Sequence, residues 1–247
     1  MKISVITVCF NSERTIRETI QSFLDQDYDN KELYLIDGGS TDKTLDIVNS
    51  FRSDLITILS EPDEGIYDAM NKGLKVFQGD AVGFLNSDDC YHTPKSLSAI
   101  ATKLKMHDVA HGHLQFVESH ISKKRTRVWK GTNYHKGSFK AGWMPAHPTF
   151  YVRKSVAHAT GLFDKNMRVA ADYDWMLRAI ELNSCSIGLV DEIVIDMQGG
   201  GNSTRSLSAY VKGNLESLES RRRWLETGLV DLAFFLKPVR KLNQLIL

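Results

Sequence analysis

Two adjacent carboxylates follow an apolar stretch in the first half of the chain. Residues 81–85 have the composition of a buried strand, and Asn86, Ser87, Asp88 and Asp89 come directly after them. Neighbouring ionised carboxylates repel each other and lose hydration when buried, so such a pair usually faces a cation or open water. Oxygen ligands of this kind hold Mg²⁺ or Mn²⁺ together with a diphosphate group. The alternative is a solvated turn of Ser and Asp residues.

Two other apolar runs also end in polar residues. Residues 3–9 are rich in β-branched side chains and lead into Phe10 and Asn11. Residues 32–36 form a similar run that leads into Asp37. Short β-branched runs bounded by polar and Gly-rich segments predict strands.

Each of these runs precedes a segment with helical periodicity, over residues 12–26 and 41–51. Alternating strands and helices predict an α/β fold with parallel strands joined by right-handed crossovers. Ligands of such open sheets bind outside the carboxyl ends of the strands. We therefore expect Asn11, Asp37 and the carboxylate pair to lie at the same edge of the sheet.

Length and composition favour a compact enzyme. The chain has 247 residues, of which 42% are hydrophobic and 25% charged, and a formal net charge of +1. This balance argues against a nucleic-acid-binding surface. Cys9, Cys90 and Cys185 are odd in number and far apart, which favours buried thiols in a reducing compartment and no zinc site. The first residues lack a signal-peptide pattern, so we expect a cytoplasmic protein.

The chain divides into three stretches. Residues 1–90 form the α/β layer and residues 91–204 are less regular, with predicted hairpin strands over 111–117 and 125–129. Residues 205–247 are helical in pattern and carry eight Lys or Arg against four Asp or Glu. This C-terminal extension either lies on an anionic membrane surface or packs on the protein or on a second subunit.

Five motifs in this order resemble those of family 2 glycosyltransferases, in particular the short bacterial members that build exopolysaccharide or O-antigen. The resemblance implies the GT-A fold, a Rossmann-like, mostly parallel central sheet flanked by helices. It covers roughly residues 1–200 and rests on residues 4–11, 36–42, 61–73, 83–89 and 171–178.

The resemblance implies a nucleotide site at the first two strand ends. In the family, residues at the positions of Phe10 and Asn11 lie beneath the nucleotide base, where an aromatic face can stack; simple core packing is the alternative for Phe10. Asp37 corresponds to an acidic residue near the base or ribose. Family members usually carry two consecutive acids there, whereas this chain has Gly38 in the second position.

The resemblance also implies a divalent-metal site with a variant motif. The usual Asp-x-Asp is replaced by Asn86, Ser87 and Asp88, followed by Asp89. Asp88 is assigned to the ribose or to a metal-bound water and, with Asp89, to the metal site. Asp89 is expected to bind the Mg²⁺ or Mn²⁺ directly.

Asp172 matches the aspartate that serves as catalytic base in the family's acidic motif, with Ala171 in place of the preceding Glu. An inverting transfer needs one carboxylate to accept the proton of the attacking hydroxyl. The alternative is that Asp172 is the N-cap of a helix over residues 172–182.

Four further residues are candidates for contacts with the donor or acceptor. Trp143 and His147 lie in a loop rich in Gly and aromatic residues, where a sugar could stack. Gly200 and Gly201 belong to a Gly-rich run that either closes over the donor as a loop or serves as a connector.

The sequence thus predicts an inverting, metal-dependent glycosyltransferase. Its partners are a nucleoside diphosphate sugar and a glycan or lipid-linked acceptor, and it acts in cell-surface polysaccharide biosynthesis, in the cytoplasm or on the inner face of the membrane. Two alternatives remain: a nucleotidyltransferase and a noncatalytic nucleotide-sugar-binding partner in an assembly complex.

Overall fold

The computed structural model describes residues 1–198, 207–228 and 233. Its strands are β1 (Ile3–Cys9), β2 (Lys31–Asp37), β3 (Ile56–Ser60), β4 (Ala81–Phe84), β5 (Asp89–Tyr91), β6 (Val109–Val117), β7 (Arg125–Trp129), β8 (Tyr151–Arg153) and β9 (Ile187–Gln198). Within the described residues they form one sheet in the order β3-β2-β1-β4-β8-β6-β9-β5, with β7 paired to β6.

Helices cover this sheet. They are α1 (Ile16–Leu24), α2 (Thr44–Asn49), α3 (Ile66–Val76), α4 (Ser96–Met106), α5 (Lys154–Thr160), α6 (Ala171–Leu177) and α7 (Leu207–Leu225). Val5 and Ile6 of β1 belong to two different hydrophobic clusters, because successive side chains of a strand point to opposite faces. One cluster lies beneath α1 and α4, and the other beneath α3 and α6.

The first half of the sheet is parallel, as the sequence predicts. β1 pairs in parallel with β2 and β4, and β2 with β3. Every residue of β1 is buried, which is typical of a parallel strand covered on both faces. Because Cys9 lies opposite Asp37 and Ile6 opposite Phe84, the carboxyl ends of β1, β2 and β4 lie at one edge.

The second half is mixed. The predicted hairpin is confirmed as the antiparallel pair β6 and β7, but β6 also lies inside the main sheet between β8 and β9. The sequence pattern did not predict β5 or β9. They pair with each other and set Asp89 opposite Met197, so the carboxylate motif runs directly into the sheet.

Three predicted helices have different bounds, and the second of them, predicted over residues 41–51, is limited to Thr44–Asn49. The first begins at Ile16 rather than at residue 12. Residues 12–15 form a turn before it, in which the Ser12 carbonyl oxygen accepts the N–H groups of Thr15 and Ile16. The third begins at Ala171 and continues beyond Leu177 as a wider helical turn.

The described part of the C-terminal extension packs on the protein. Within α7, Glu216 accepts hydrogen bonds from three backbone N–H groups just before α6, and Ser220 donates to Asp174 on α6. The packing alternative therefore holds for Leu207–Leu225. Among the described residues, none of the helices has the length and apolar character that a bilayer span requires.

Candidate active site

Hydrogen bonds join the loops that follow β1, β2 and β4. Asn11 has a left-handed backbone (φ 49°); its N–H donates to Ser40 Oγ at 2.8 Å, and its side-chain oxygen accepts the Thr41 N–H at 2.9 Å. Ser12 Oγ lies 2.9 Å from Ser87 Oγ, in the loop of the carboxylate pair. The expected convergence of these three strand ends at one edge is confirmed.

Phe10 lies on this edge, and its aromatic ring is exposed to solvent. Its side chain is 61% exposed although it directly follows a completely buried strand. The core-packing alternative is therefore wrong for Phe10. An exposed aromatic face at the strand ends has the geometry that stacking on a heterocycle requires, and the stacking role stays a prediction.

Asp37 is completely buried at the end of β2 and accepts several hydrogen bonds there. Its carboxylate accepts the N–H groups of Gly39 and Ser40 and the hydroxyls of Ser40 and Ser60. Burial opposes ionisation, but these hydrogen bonds outweigh it and lower the pKa of the Asp37 carboxyl. Asp37 thus fixes the loop that holds Asn11, whereas direct contact with a nucleotide stays a prediction.

Asp89 is also completely buried, but its carboxylate is incompletely paired. Asn86 Nδ2 donates to Asp89 Oδ2 at 2.9 Å, while Asp89 Oδ1 and Asn86 Oδ1 are buried with no hydrogen-bond partner in the described structure. Burial, together with the negative charge of Asp88, raises the pKa of the Asp89 carboxyl well above its usual range. A bound cation would relieve both features.

The residues of this loop fit a divalent cation. Two unpartnered oxygens and the partly exposed Asp88 side chain form a set of hard oxygen donors. The described residues contain no group of three or more His, Cys, Asp or Glu that could hold a metal ion by itself. The remaining ligands would therefore be phosphate oxygens and water, as is usual for Mg²⁺ at diphosphates.

Asp172 lies in the first turn of α6, near the aromatic residues that pack against β4. Its Oδ1 accepts the N–H of Tyr173 at 2.8 Å and lies 3.5 Å from the hydroxyl of Tyr67, which donates to Val169. Ala170 holds the N-cap position, without a side-chain cap. The N-cap alternative for Asp172 is therefore wrong, and its part-exposed carboxylate can meet a solvent-borne group.

The second acid of the same motif, Asp174, has a structural role. It is buried, and its two oxygens accept hydrogen bonds from Arg178 on the following turn and from Ser220 and Trp224 of α7. Every one of these donors lies within 2.7–2.8 Å of the carboxylate. Asp174 therefore ties α7 to α6, which leaves Asp172 as the acid of this motif that is open to a reactant.

His147 links the Asp172 region to the end of β4. Its ring stacks on Phe84, with 5.2 Å between centroids, and contacts Phe163 edge-on. Burial lowers the pKa of His147, and the nearby Asp172 only partly opposes this effect. His147 thus packs between the end of β4 and the Asp172 region, and its predicted contact with a sugar stays a prediction.

Trp143 lies inside an aromatic cluster. It is 5% exposed, contacts Phe139, Tyr134 and His111, and donates its indole N–H to Thr132. These contacts account for Trp143 as a packing residue, and its contact with donor or acceptor stays a prediction. The corresponding prediction for Gly200 and Gly201 lies outside the described residues.

Three residues near the site were not predicted to belong to it, although Tyr67 lies within the motif of residues 61–73. Tyr67 contacts the segment that leads into Asp172, Glu216 holds the backbone of the same segment, and His120 Nε2 donates to the Asp88 carbonyl oxygen at 2.7 Å. Each contact joins residues more than 30 positions apart, so local patterns could not reveal it.

Known proteins with similar sequences are glycosyltransferases. The chain is 30% identical over 182 residues to a "PGL/p-HBAD biosynthesis glycosyltransferase" of Mycobacterium bovis, which covers 71% of this chain and 68% of that protein. It is 38% identical over 94 residues, 38% of each chain, to the Escherichia coli "UDP-Glc:alpha-D-GlcNAc-diphosphoundecaprenol beta-1,3-glucosyltransferase WfaP".

Solved structures share the fold. Staphylococcus aureus TarS 1-349 in complex with UDP-GlcNAc superposes with a TM-score of 0.68 at 20% identity, over 98% of this chain and 73% of that chain. The mannosyltransferase PcManGT from Pyrobaculum calidifontis, in complex with GDP-Man and Mn²⁺, gives a TM-score of 0.66 at 16% identity, over 98% and 69%.

The fold is the GT-A fold, as the sequence predicts. The family described as "Glycosyl transferase family 2" matches residues 4–158. The chain belongs to glycosyltransferase family 2 and is an enzyme that uses a nucleotide sugar.

Proposed function

We propose that this protein is an inverting, divalent-metal-dependent glycosyltransferase that acts in cell-surface polysaccharide biosynthesis. It transfers a sugar from a nucleoside diphosphate sugar to a glycan or lipid-linked acceptor. One observation carries the proposal: Asn86 and Asp89 each keep a buried oxygen without a hydrogen-bond partner at the edge where three parallel strands end.

The donor binds along this edge. Phe10 offers its exposed ring to the base, and Asn11 and the loop ordered by Asp37 shape the wall beside it. Asp88 and Asp89, with Asn86 beside them, would hold the Mg²⁺ or Mn²⁺ that accompanies the diphosphate. When bound, the cation supplies Lewis-acid stabilisation of the charge on the leaving nucleoside diphosphate.

Asp172 is the base. The acceptor oxygen attacks the anomeric carbon from the side opposite the diphosphate, the bond between that carbon and the diphosphate oxygen breaks, and the acceptor proton passes to the Asp172 carboxylate. Tyr173 N–H orients the carboxylate from one side, and Glu216 fixes the backbone that precedes it. The two alternatives, a nucleotidyltransferase and a noncatalytic partner, lack the support that family membership gives to sugar transfer.

The test is a panel of UDP-, GDP- and dTDP-sugars, measured by thermal shift with Mn²⁺ and with EDTA. We expect one class of donor to raise the melting temperature in a Mn²⁺-dependent way, and the same donor to release its nucleoside diphosphate on incubation. Nuclear magnetic resonance of the transferred sugar should show an inverted anomeric centre. Transfer in excess EDTA, or a product with retained configuration, would contradict the proposal.

The β6–β7 hairpin is a candidate for membrane contact, which would bring a lipid-linked acceptor close to the site. Ile121, at the end of the β6–β7 hairpin, is 90% exposed and precedes Lys123, Lys124 and Arg125. The neighbouring His120 contacts the carboxylate loop, so this hairpin lies beside the proposed diphosphate site. An exposed apolar side chain among cations favours peripheral contact with anionic lipid.

Liposome sedimentation tests this contact. The double variant Ile121→Ser/Lys123→Ser should bind phosphatidylglycerol vesicles less than the wild type does, with phosphatidylcholine vesicles as the baseline. Ile58→Ser is the matched control, because Ile58 is an exposed apolar residue on the edge strand β3. Equal sedimentation of all three proteins would exclude the hairpin as a membrane contact.

A further inference from the structure

A carboxylate of the C-terminal extension binds the backbone segment that leads into Asp172. Glu216 Oε2 accepts the N–H groups of Val169 at 2.9 Å and Ala170 at 2.8 Å. Glu216 Oε1 accepts the N–H of Arg168 at 3.0 Å. Successive backbone N–H groups that converge in this way form an anion-binding concavity, and here a carboxylate of the protein itself fills it. Because Glu216 is buried, water is a poor substitute for these bonds.

The start of α6 depends on these bonds, because α6 has no side-chain cap. The first N–H groups of a helix lack partners within the helix, and an N-cap side chain usually accepts one of them. Ala170 holds the N-cap position and has no polar side chain. Glu216 binds the N–H of Ala170 and of the two residues before it. It therefore fixes the backbone from which α6 begins, and Asp172 is the second residue of that helix.

The same segment is also held from the opposite side. The hydroxyl of Tyr67 on α3 donates to the Val169 carbonyl oxygen at 2.8 Å. On α7, a Cβ atom built on Gly213 would lie 3.0 Å from Val169 Cγ1, so the two elements are in close contact. Burial raises the pKa of Tyr67 well above its usual range, and the charges of Asp172 and Glu216 add to this effect. The segment before Asp172 is therefore held between α3 and α7.

We propose that Glu216 is a positioning residue for sugar transfer, which acts through Asp172 by fixing the backbone that carries this carboxylate. A base must lie within hydrogen-bond distance of the proton that it accepts, and a displacement of about 1 Å can lower a rate by about 10²-fold. α7 lies beyond residues 4–158, the part of the chain that matches the family. The C-terminal extension thus contributes to the geometry of the reaction. This inference rests on the proposed function, in which Asp172 is the base.

The variant Glu216→Gln tests the inference in the full chain. The amide keeps the shape and one acceptor oxygen, but its NH₂ group would face one of the three N–H donors. We expect kcat for sugar transfer to fall by about 10-fold, while the acceptor KM and the donor affinity measured by calorimetry stay within about 2-fold of wild type. An unchanged kcat would overturn the inference.

Ser220→Ala is the matched control on α7. It removes a hydroxyl that donates to Asp174 and leaves the bonds of Glu216 in place. We expect lower stability in urea and a kcat per folded molecule within about 2-fold of wild type. An equal loss of kcat in Ser220→Ala and Glu216→Gln would show a general effect of α7 packing and would overturn the role of Glu216.

Combination with Asp172→Asn separates positioning from a general loss of structure. If Glu216 acts through the Asp172 carboxylate, adding Glu216→Gln to Asp172→Asn should change transfer by less than about 2-fold, whereas independent effects multiply. The same loss in both backgrounds would overturn the inference and leave Asp172 as the base. Near-normal transfer in Asp172→Asn alone would contradict the base of the proposed function, and the inference with it.

Tyr67→Phe takes the place of Glu216→Gln if that variant does not fold. It removes the hydroxyl that binds Val169 and keeps the ring that stacks on Phe163. We expect kcat to fall by about 3-fold or more in the wild-type background and to stay unchanged in the Asp172→Asn background. Tyr28→Phe is the control, because its hydroxyl donates to the Met1 carbonyl oxygen before β1. An unchanged kcat, or equal losses in the two backgrounds, would overturn the inference.

Discussion

The two buried carboxylates at the sheet edge, Asp37 and Asp89, have the same exposure and opposite surroundings. Asp37 accepts hydrogen bonds from backbone and hydroxyl groups, and the pKa of its carboxyl is lowered despite burial. Asp89 keeps one oxygen without a partner beside the charge of Asp88, and the pKa of its carboxyl is raised by burial first. Burial alone therefore does not separate a carboxylate whose hydrogen bonds are complete from one that we propose binds a cation.

The two carboxylates differ in whether the protein itself supplies all of their hydrogen-bond donors. The protein completes the hydrogen bonding of Asp37, which can therefore order a loop without any ligand. The protein leaves one oxygen of the Asp89 carboxylate without a hydrogen-bond donor. An unpaired buried acceptor destabilises the folded protein, and only a bound cation or proton offsets this free-energy cost. The same contrast separates Asp174, fully paired to α6 and α7, from Asp172 in the preceding position of the motif.

The largest effect on sugar transfer is expected at Asp89, whose hydrogen bonding is incomplete. Asp89→Asn removes the proposed ligand charge but keeps shape, so transfer should fall by about 10³-fold, because stabilisation of the leaving group is worth several kcal/mol. The Mn²⁺-dependent thermal shift with donor should disappear, while the metal-free melting temperature stays the same or rises. Asp46→Asn, on the exposed face of α2, is the control. Undiminished Mn²⁺-dependent transfer in Asp89→Asn would break the comparison.

The next largest effect concerns the two acids of α6. Asp172→Asn should lower the transfer rate by about 10²-fold or more while donor affinity stays near that of wild type, because basicity is lost and the Tyr173 N–H keeps an oxygen partner. Asp174→Asn should show the reverse: lower stability with smaller loss of transfer per folded molecule. Near-normal transfer in Asp172→Asn would exclude it as the base.

A smaller effect, on the free energy of unfolding, is expected at Asp37, whose hydrogen bonding is complete. Asp37→Asn replaces an ionised acceptor of several bonds by an amide whose NH₂ faces donors, so the free energy of unfolding should fall by about 2–3 kcal/mol. Urea denaturation measures this change. Asp46→Asn should stay within about 0.5 kcal/mol of wild type, as surface substitutions do. A loss for Asp37→Asn no larger than for that control would show that the Asp37 hydrogen bonds contribute little.

The smallest effect is the pH dependence that follows from the same group. Because the pKa of Asp37 is lower in the folded than in the unfolded protein, its contribution to stability is present above about pH 4 and is lost as pH falls through the folded value. Wild type should therefore lose more stability between about pH 4 and pH 2 than Asp37→Asn does. Parallel stability curves for the two proteins over this range would contradict the lowered pKa.

The sequence by itself predicted much of the parallel first half of the sheet, formed by β1, β2, β3 and β4. Short β-branched runs followed by helical periodicity predict parallel strands, and parallel strands bring their carboxyl ends to one edge. This reasoning was enough to predict that Asn11, Asp37 and the carboxylate pair lie at one edge. The ordered motifs were enough to predict the family that the comparisons confirm.

Only the tertiary structure decided how each carboxylate is buried and hydrogen-bonded. Asp89 is buried because the three-residue strand β5 pairs with β9, about a hundred positions later, and Asp174 is satisfied by side chains of α7. Asp63 occupies the space above Gly38 because two loops meet. Local sequence determines strand and helix periodicity, whereas the pairing of a buried charge depends on donors that folding brings from distant positions.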